Sequence, residues 1–303
     1  MTDRRHFIKQ AGVLGAGLSL VPQLALASGK SERLVILHTN DWHSRIEPFP
    51  LDGGRLQGLG GAEQRMALLQ KIRNENEHVL LLDSGDMFQG TPFFNLYGGE
   101  LEFRLMSEMG YDAATLGNHD FDAGLEGLKK QLHHANFPIL SANYDFSETE
   151  LKGAFQPYHI LRKGPFKIGL FGIGIQLKGL VPEPLYGRTR YLDPLTIANE
   201  TANYLKKKQN CDTVICLSHL GYKYSDSKIS DVILASESEE IDIILGGHTH
   251  TFMDKPVEIL NKMKQPVIIN QVGWGGVILG RLDLIWNKGK IGANPHNTML
   301  KVS

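Results

Sequence analysis

The chain has 303 residues, 32 Lys+Arg against 33 Asp+Glu, a formal net charge of -1 and 42% hydrophobic residues. Such values exclude wholesale disorder, a collagen repeat and a coiled coil. The balanced charge gives no electrostatic footprint for nucleic acid, and two cysteines are too few for a disulfide scaffold.

Residues 1–27 read as an address rather than as part of a fold. Arg4 and Arg5 precede an uncharged stretch from Gln10 to Ala27 that is rich in Gly, Ala and Leu and ends in Ala25-Leu26-Ala27. This resembles a twin-arginine signal. A retained anchor is the alternative. It would sit near the lower length limit for a span, weakened by Gly12, Gly15, Gly17 and Pro22. The expected organisation is a signal over 1–27 and a catalytic domain over 28–303. That implies a periplasmic or secreted protein with no stable membrane insertion after cleavage.

Downstream, short runs of Val, Ile and Leu alternate with helical patterns. In chain order these are a strand at Leu34–His38, a helix over 61–76, a strand at Val79–Leu82, a helix over 99–109, a strand at Ala113–Leu116 and a helix over 123–135. Phe155–Leu161 and Lys167–Ile173 read as a strand pair around Gly164-Pro165, and 174–193 as a long surface loop. A helix over 194–209, strands at Thr213–Leu217 and Ile241–Leu245 with a helix over 227–238 between them, and strands at Val257–Leu260, Val267–Gln271 and Val277–Ile285 complete the series. Continuous apolar runs suit strands covered on both faces. Met66, Leu69 and Ile72 show the three-to-four spacing of a packed helix. The alternation predicts an α/β fold with parallel pairing and added strands in a second sheet. Cys211 and Cys216 would stand roughly 16 Å apart in an extended run, too far for a disulfide. They read as buried small hydrophobes.

The residues after the strands carry the chemistry. Asp41-x-His43 follows the first strand, Gly85-Asp86 the second and Gly117-Asn118-His119-Asp120 the third; His219 and Gly247-His248-x-His250 follow later ones. Sites in open α/β sheets form outside the carboxyl ends of the strands, so the five clusters converge. Carboxylates, an amide and imidazoles suit Zn, Mn or Fe rather than Ca. In extended backbone, Asp41 and His43 would project to one face, as would His248 and His250. Asp-x-His or Gly-Asn-His alone reads as a turn, and His248 with His250 alone suits a turn or a ligand pair equally. Together they offer seven ligands, too many for one tetrahedral ion and suited to two ions sharing a carboxylate. Asp83 reads as a cap of the strand end or a support for Asp86, and Asn40 as a fixer of the Asp41 turn. Arg45 suits a phosphate contact or an ion pair. His38, His78, His133, His134, His159 and His296 fit no cluster and read as surface or packing residues.

The combination Thr39-Asn-Asp-x-His43, Asp83-Ser-Gly-Asp-x-x-x-Gly90, Gly117-Asn-His-Asp-Phe-Asp122, Ser218-His219 and Gly246-Gly-His-Thr-His250 resembles the catalytic domain of the 5'-nucleotidase branch of the calcineurin-like metallophosphoesterases. The likeness runs from about Leu34 through Gly280-Arg-Leu-Asp-Leu. It implies a four-layer α/β/β/α sandwich with mixed sheets. It implies two divalent ions, one held by Asp41, His43, Asp86 and His250, the other by Asp86, Asn118, His219 and His248, with a bound hydroxide as attacking group. His119 would contact the phosphoryl group or leaving oxygen, and Asp122 would orient it. The implied activity is hydrolysis of phosphomonoesters, 5'-nucleotides or related esters. Phosphodiester cleavage of the cyclic-nucleotide type is the alternative, and cleavage of a sulfur-linked group a more distant one. By the resemblance, members of this family carry a second, C-terminal domain that binds the nucleoside, and the expectation is that these 303 residues do not include it. A partner chain supplying that domain, a less selective phosphatase, or loops of this chain taking over the task are the resulting expectations. Gln176–Leu192, with Tyr186, Arg188, Arg190 and Tyr191, and Trp274 are candidate substrate walls or plain loop and packing.

Overall fold

In β1 (Glu32–Thr39), Leu34 and Ile36 face one side and Val35 and Leu37 the other, and all four are fully buried. A strand with two apolar faces needs a layer on each side, and that requirement sets the architecture. The structure is a computed structural model that describes residues 32–287, 290–294 and 300–303. The expected signal over 1–27 lies outside the described residues.

The chain continues through α1 (Ala62–Glu75), β2 (His78–Asp83), α2 (Pro92–Tyr97), α3 (Glu100–Met109) and β3 (Ala113–Thr115). After a 3-10 turn at His119–Phe121 come α4 (Gly124–Gln131), β4 (Ile139–Leu140), β5 (Tyr144–Asp145), β6 (Tyr158–Lys163) and β7 (Phe166–Ile173). Then follow α5 (Glu183–Tyr186), β8 (Arg190–Tyr191), α6 (Pro194–Asn203), β9 (Thr213–Ser218), α7 (Asp231–Glu237) and β10 (Ile243–Leu245). The chain closes with β11 (Val257–Leu260), β12 (Pro266–Asn270), β13 (Ile278–Asn287), β14 (Lys290–Asn294) and β15 (Leu300–Lys301).

One sheet runs β14-β13-β1-β2-β3-β4 with β15 on β13; the other runs β11-β12-β10-β9-β7-β6. Both are mixed. β1 through β4 are parallel and β13 antiparallel to β1; β7, β9, β10 and β12 are parallel, with antiparallel edges at β6 and β11. Even-numbered residues of β1 and β2 (Leu34, Ile36, Leu80, Leu82) meet Ile168, Leu170, Ile215 and Leu217 of the second sheet. Odd-numbered Val35, Leu37, Val79 and Leu81 pack under Leu69 and Ile72 of α1, Phe103 and Met106 of α3 and Leu128 of α4. The outer face of the second sheet, with Val214, Cys216 and Ile244, lies under Ala198 and Ala202 of α6 and Leu234 of α7. The result is helices, sheet, sheet, helices. Truncating any of these fully buried leucines to alanine costs about 2–5 kcal/mol.

Local chemistry explains most boundaries. Gly164, at φ 57°, turns the chain between β6 and β7 with Pro165. Asp193 and Ser230 cap α6 and α7 by accepting from Thr196 N and Ile233 N. The cap at Ser230 is why the helix expected over 227–238 begins only at Asp231. The pattern over 123–135 breaks at Gln131 into a 3-10 turn, Leu132–His134, and the 194–209 pattern loosens after Asn203 into a wider π-type turn. The segment 174–193 is not plain loop: it holds α5, and β8 pairs with β5. Cys211 and Cys216 are free and buried. Among the described residues, no helix is long and apolar enough to cross a membrane.

Candidate metal centre

The loops after β1, β2, β3, β9 and β10 meet at one carboxyl edge of the two sheets. Backbone bonds lace them together: Asp41 N donates to Gly85 O (2.9 Å), His43 N to Asp86 O (3.0 Å) and Gly275 N to Asp41 O (2.7 Å). Asp41, His43, Asp86, His248 and His250 are not extended, contrary to the expectation for the two Asp/His-x-His pairs. All five have φ between 50° and 72°, and they account for five of the nine non-glycine residues with left-handed φ among the described residues. Such backbone is rare outside glycine and is retained where surrounding structure over-determines it. Gly117 is obligatory for a different reason: a Cβ there would run into Asp86 Oδ1 and Asp86 N.

Two groups of donors result. Asp41, His43 and His250 form one; Asp86, His219 and His248 form the other, with the ligand atoms of each group within 4.8 Å of one another. Asp86 Oδ2 stands between them, 3.0 Å from His219 Nε2 and 3.9 Å from His43 Nε2. Asp86 Oδ1 accepts from His119 N at 2.7 Å.

The donor set fits cations. His43 Nδ1 faces the carbonyls of Phe88 and Gln89 at 3.3 and 3.2 Å. Carbonyls only accept, so Nδ1 carries the proton and the Nε2 lone pair looks into the centre. His219 is set the same way by Ser84 O at 2.6 Å. Imidazoles oriented by a second hydrogen bond are typical of metal ligands. Asn118 Oδ1 is buried with no hydrogen-bond partner, an arrangement native folds rarely leave uncompensated.

The electrostatics point the same way. Burial acts to lower the His219 imidazole, but the Asp86 and Asp41 carboxylates overcome it and push the ring up to about 10. Burial acts to raise Asp86, yet His219, His43 and His119 hold its carboxyl well below the usual range. Burial, reinforced by His219, brings His248 down to about 4. The carboxylates therefore attract positive charge to the same atoms that would ligate a cation.

At the open side, His119 Nδ1 lies 2.7 Å from Asp122 Oδ2, with the His119 side chain 41% exposed. The contact arises because His119–Phe121 is a helical turn, with Asp122 N donating to His119 O at 3.1 Å. The hydrogen bond to Asp122 raises the His119 imidazole.

Residues 34–252 match the family described as calcineurin-like phosphoesterase. The chain belongs to that family. Among calcineurin-like phosphoesterase relatives, a snake venom 5'-nucleotidase of Crotalus adamanteus is 36% identical over 239 residues, 76% of this chain and 39% of the relative. A 5'-nucleotidase of Vibrio cholerae is 33% identical over 307 residues, covering 93% and 54%. The crystal structure of a 5'-nucleotidase precursor from Thermus thermophilus superposes with a TM-score of 0.80 at 30% identity, covering 89% of this chain and 55% of that one. This chain thus spans between two fifths and just over half of the length of these relatives.

Around this calcineurin-like site, Asp120, Asp231 and Arg65 had been given no role by sequence, whereas Asp83, Asn40, Arg45, Trp274, Arg188 and Arg190 had. Asp120 is fully buried and accepts from the backbone N–H groups of Asp86, Met87, Phe88 and Gly117 at 2.8–3.2 Å. It holds the Asp86 turn to the Asn118 turn. Asp231, also buried, accepts from Ser218 Oγ at 2.5 Å beside His219. Arg65 lies fully buried over the Trp42 ring, 4.4 Å from its centroid. Asp83 accepts from Thr39 Oγ1 (2.6 Å) and Gly85 N (2.9 Å), so it fixes the turn before Asp86. Asn40 donates to Asp41 Oδ2 and to Gly273 O, each at 2.6 Å. Arg45 packs over Phe49, 4.3 Å from the ring centroid. Trp274 stacks on His250, 5.6 Å between centroids and 15° between planes. Arg188 and Arg190 pair with Glu148 and Asp145.

Proposed function

We propose that this protein is a dimetal phosphomonoesterase acting on 5'-nucleotides or related esters, exported under the direction of residues 1–27. The observation that carries the reading is the meeting of two donor groups at Asp86 Oδ2, beside the His119–Asp122 pair. The nucleotidase names of its relatives direct it toward nucleotides.

Asp41, His43, Asp86 and His250 would hold one ion; Asp86, Asn118, His219 and His248 the other. When bound, a pair of divalent cations supplies Lewis acidity, lowering the pKa of water and neutralising charge on phosphoryl oxygens. The chain's own residues do the rest. Asp122 Oδ2 accepts a hydrogen bond from His119 Nδ1–H and so fixes the ring, leaving Nε2 as its free nitrogen. The hydrogen bond to Asp122 raises the His119 pKa, which favours the protonated ring as a proton donor at Nε2. As the P–O bond breaks, that proton passes to the leaving oxygen. His119 N, by donating to Asp86 Oδ1, ties the dyad to the shared carboxylate.

The test is phosphate release by the purified chain reloaded with Mn2+ or Zn2+, on AMP, ribose 5-phosphate, 4-nitrophenyl phosphate and a bis(4-nitrophenyl) diester. Release from monoesters at least tenfold faster than diester cleavage is the expected outcome. Preferential diester cleavage would reverse the assignment of substrate class. Replacing Arg4 and Arg5 together by Lys should retain the protein inside the cell; unchanged export would rule out the twin-arginine route. The comparisons do not support a separate chain carrying a nucleoside-binding domain.

A further inference from the structure

The carboxyl edge holds a second feature that the donor set does not use. Tyr144, just after β4, and Gln176, Lys178, Tyr186, Thr189 and Tyr191, all after β7, line a cavity of about 190 Å³. β4 is the parallel neighbour of β3, and β7 of β9. The cavity is therefore built by loops flanking those that carry His119 and His219. Asn143 stitches these loops: its Nδ2 donates to Gly174 O and its Oδ1 accepts from Gly174 N, both at 2.8 Å. The Tyr144 ring meets Phe121, two residues past His119, edge to face at 5.5 Å.

Two polar atoms here have no use inside the fold. Tyr191 Oη and Thr189 Oγ1 are buried without a hydrogen-bond partner, whereas Tyr144 Oη donates to Ile175 O. Native folds seldom leave such atoms unpaired unless something else supplies the partner. A hydroxyl both donates and accepts, so the two suit a ring bearing both kinds of group. Tyr186 and Tyr191 add flat apolar surface, and Gln176 and Lys178 stand exposed at the rim. The volume is below the roughly 300 Å³ at which sites for drug-sized ligands begin. It suits one planar ring system rather than a whole nucleotide.

We infer that this cavity is the subsite for a planar, hydrogen-bonding heterocycle in the leaving group: the base of a nucleoside phosphate whose phosphoryl group sits at the metal centre. The inference rests on the phosphomonoesterase reading for the phosphoryl end of the substrate.

The experiment compares AMP with ribose 5-phosphate, which lacks the base, in the full chain, in Tyr191→Phe, in Thr189→Val and in Tyr186→Ala. Wild type should favour AMP in kcat/KM. Losing one hydroxyl should cut that preference about fivefold, and losing the Tyr186 ring about tenfold, through KM and with ribose 5-phosphate turnover unchanged. A second arm titrates adenosine against the full chain by calorimetry; Tyr191→Phe should weaken its binding by a similar factor. Turnover of both esters with the same ratio in all four proteins, and adenosine heats unchanged by the substitutions, would overturn the subsite. Absence of turnover on any ester with two ions bound would sink the phosphatase reading instead, and adenosine binding would then decide the cavity alone.

Discussion

His43 and His250 point their Nε2 atoms at each other across 3.0 Å. The His43 proton is held on Nδ1 by two carbonyls, so its Nε2 offers a lone pair. Asp41 Oδ1, 3.3 Å from His250 Nε2, adds a carboxylate. A cation resolves this meeting of basic atoms. His250→Ala should lower the affinity of one ion while the other, served by His219 and His248, stays. Asp86→Ala should lower both. Metal stoichiometry after dialysis reads the difference; two ions retained by Asp86→Ala would refute the shared carboxylate.

The His119–Asp122 pair predicts a split between chemistry and metal binding. His119→Asn should lower kcat by about 10²–10⁴-fold with metal content unchanged. Asp122→Asn should be milder. The pH profile carries the sign. Asp122 raises the His119 pKa, so a step that needs protonated His119 is fully active below that pKa and fades as pH rises through it. Removing the Asp122 charge should move this alkaline limb to lower pH; an unmoved limb would deny Asp122 that role.

Asp120 should matter more than its silence in the sequence suggests. Its carboxylate serves four backbone N–H groups in two loops. Asp120→Ala leaves those donors buried and unpaired, at a cost of about 3–5 kcal/mol of stability. Chemical denaturation of metal-free protein measures it without interference from ion binding; a loss below about 1 kcal/mol would contradict the network.

His38 predicts an acid weakness of the sheet interface. It bonds to Asn270 at 2.8 Å between the two sheets, and burial pushes its pKa from 6.5 down to about 3. Below pH 6.5 the unfolded chain gains a proton that the folded chain refuses. Its stabilising contribution is therefore present above pH 6.5 and is lost as pH falls toward 3, by about 1.4 kcal/mol per unit. Between pH 7 and 5, His38→Gln should lose about 2 kcal/mol less stability than wild type, by urea unfolding in chelator. Parallel losses in the two proteins would show that His38 already protonates in the fold.

The order of strands and helices, and the candidate donor residues that follow the strands, were legible because both signals are local. Leu34–His38 and Val79–Leu82 declare their burial in a few residues, and a histidine beside a glycine after such a run is visible without a partner. Contacts made across the fold were not. Asp120 stood in the Gly-Asn-His-Asp motif, yet nothing nearby in sequence reveals that it accepts from Met87 and Phe88. Pairing of Tyr144 with Tyr191 uses strands of two residues, too short for any period. His38 was read only as surface or packing; the sequence could not say that it crosses to Asn270. Nothing local in the sequence marks Arg65 as buried, because the ring of Trp42 that covers it belongs to another loop.

The left-handed backbone at five candidate ligand positions bears on how the centre comes into being. Neither Asp41 with His43 nor His248 with His250 favours its observed conformation unaided. The two pairs meet only after the sheets have docked. An unfolded chain thus presents scattered donors with the wrong shape, and divalent ions will prefer the finished fold. Loading is then coupled to folding quality: each ion captured deepens the native state by mass action, and a chain that has misplaced either sheet has nothing with which to hold one.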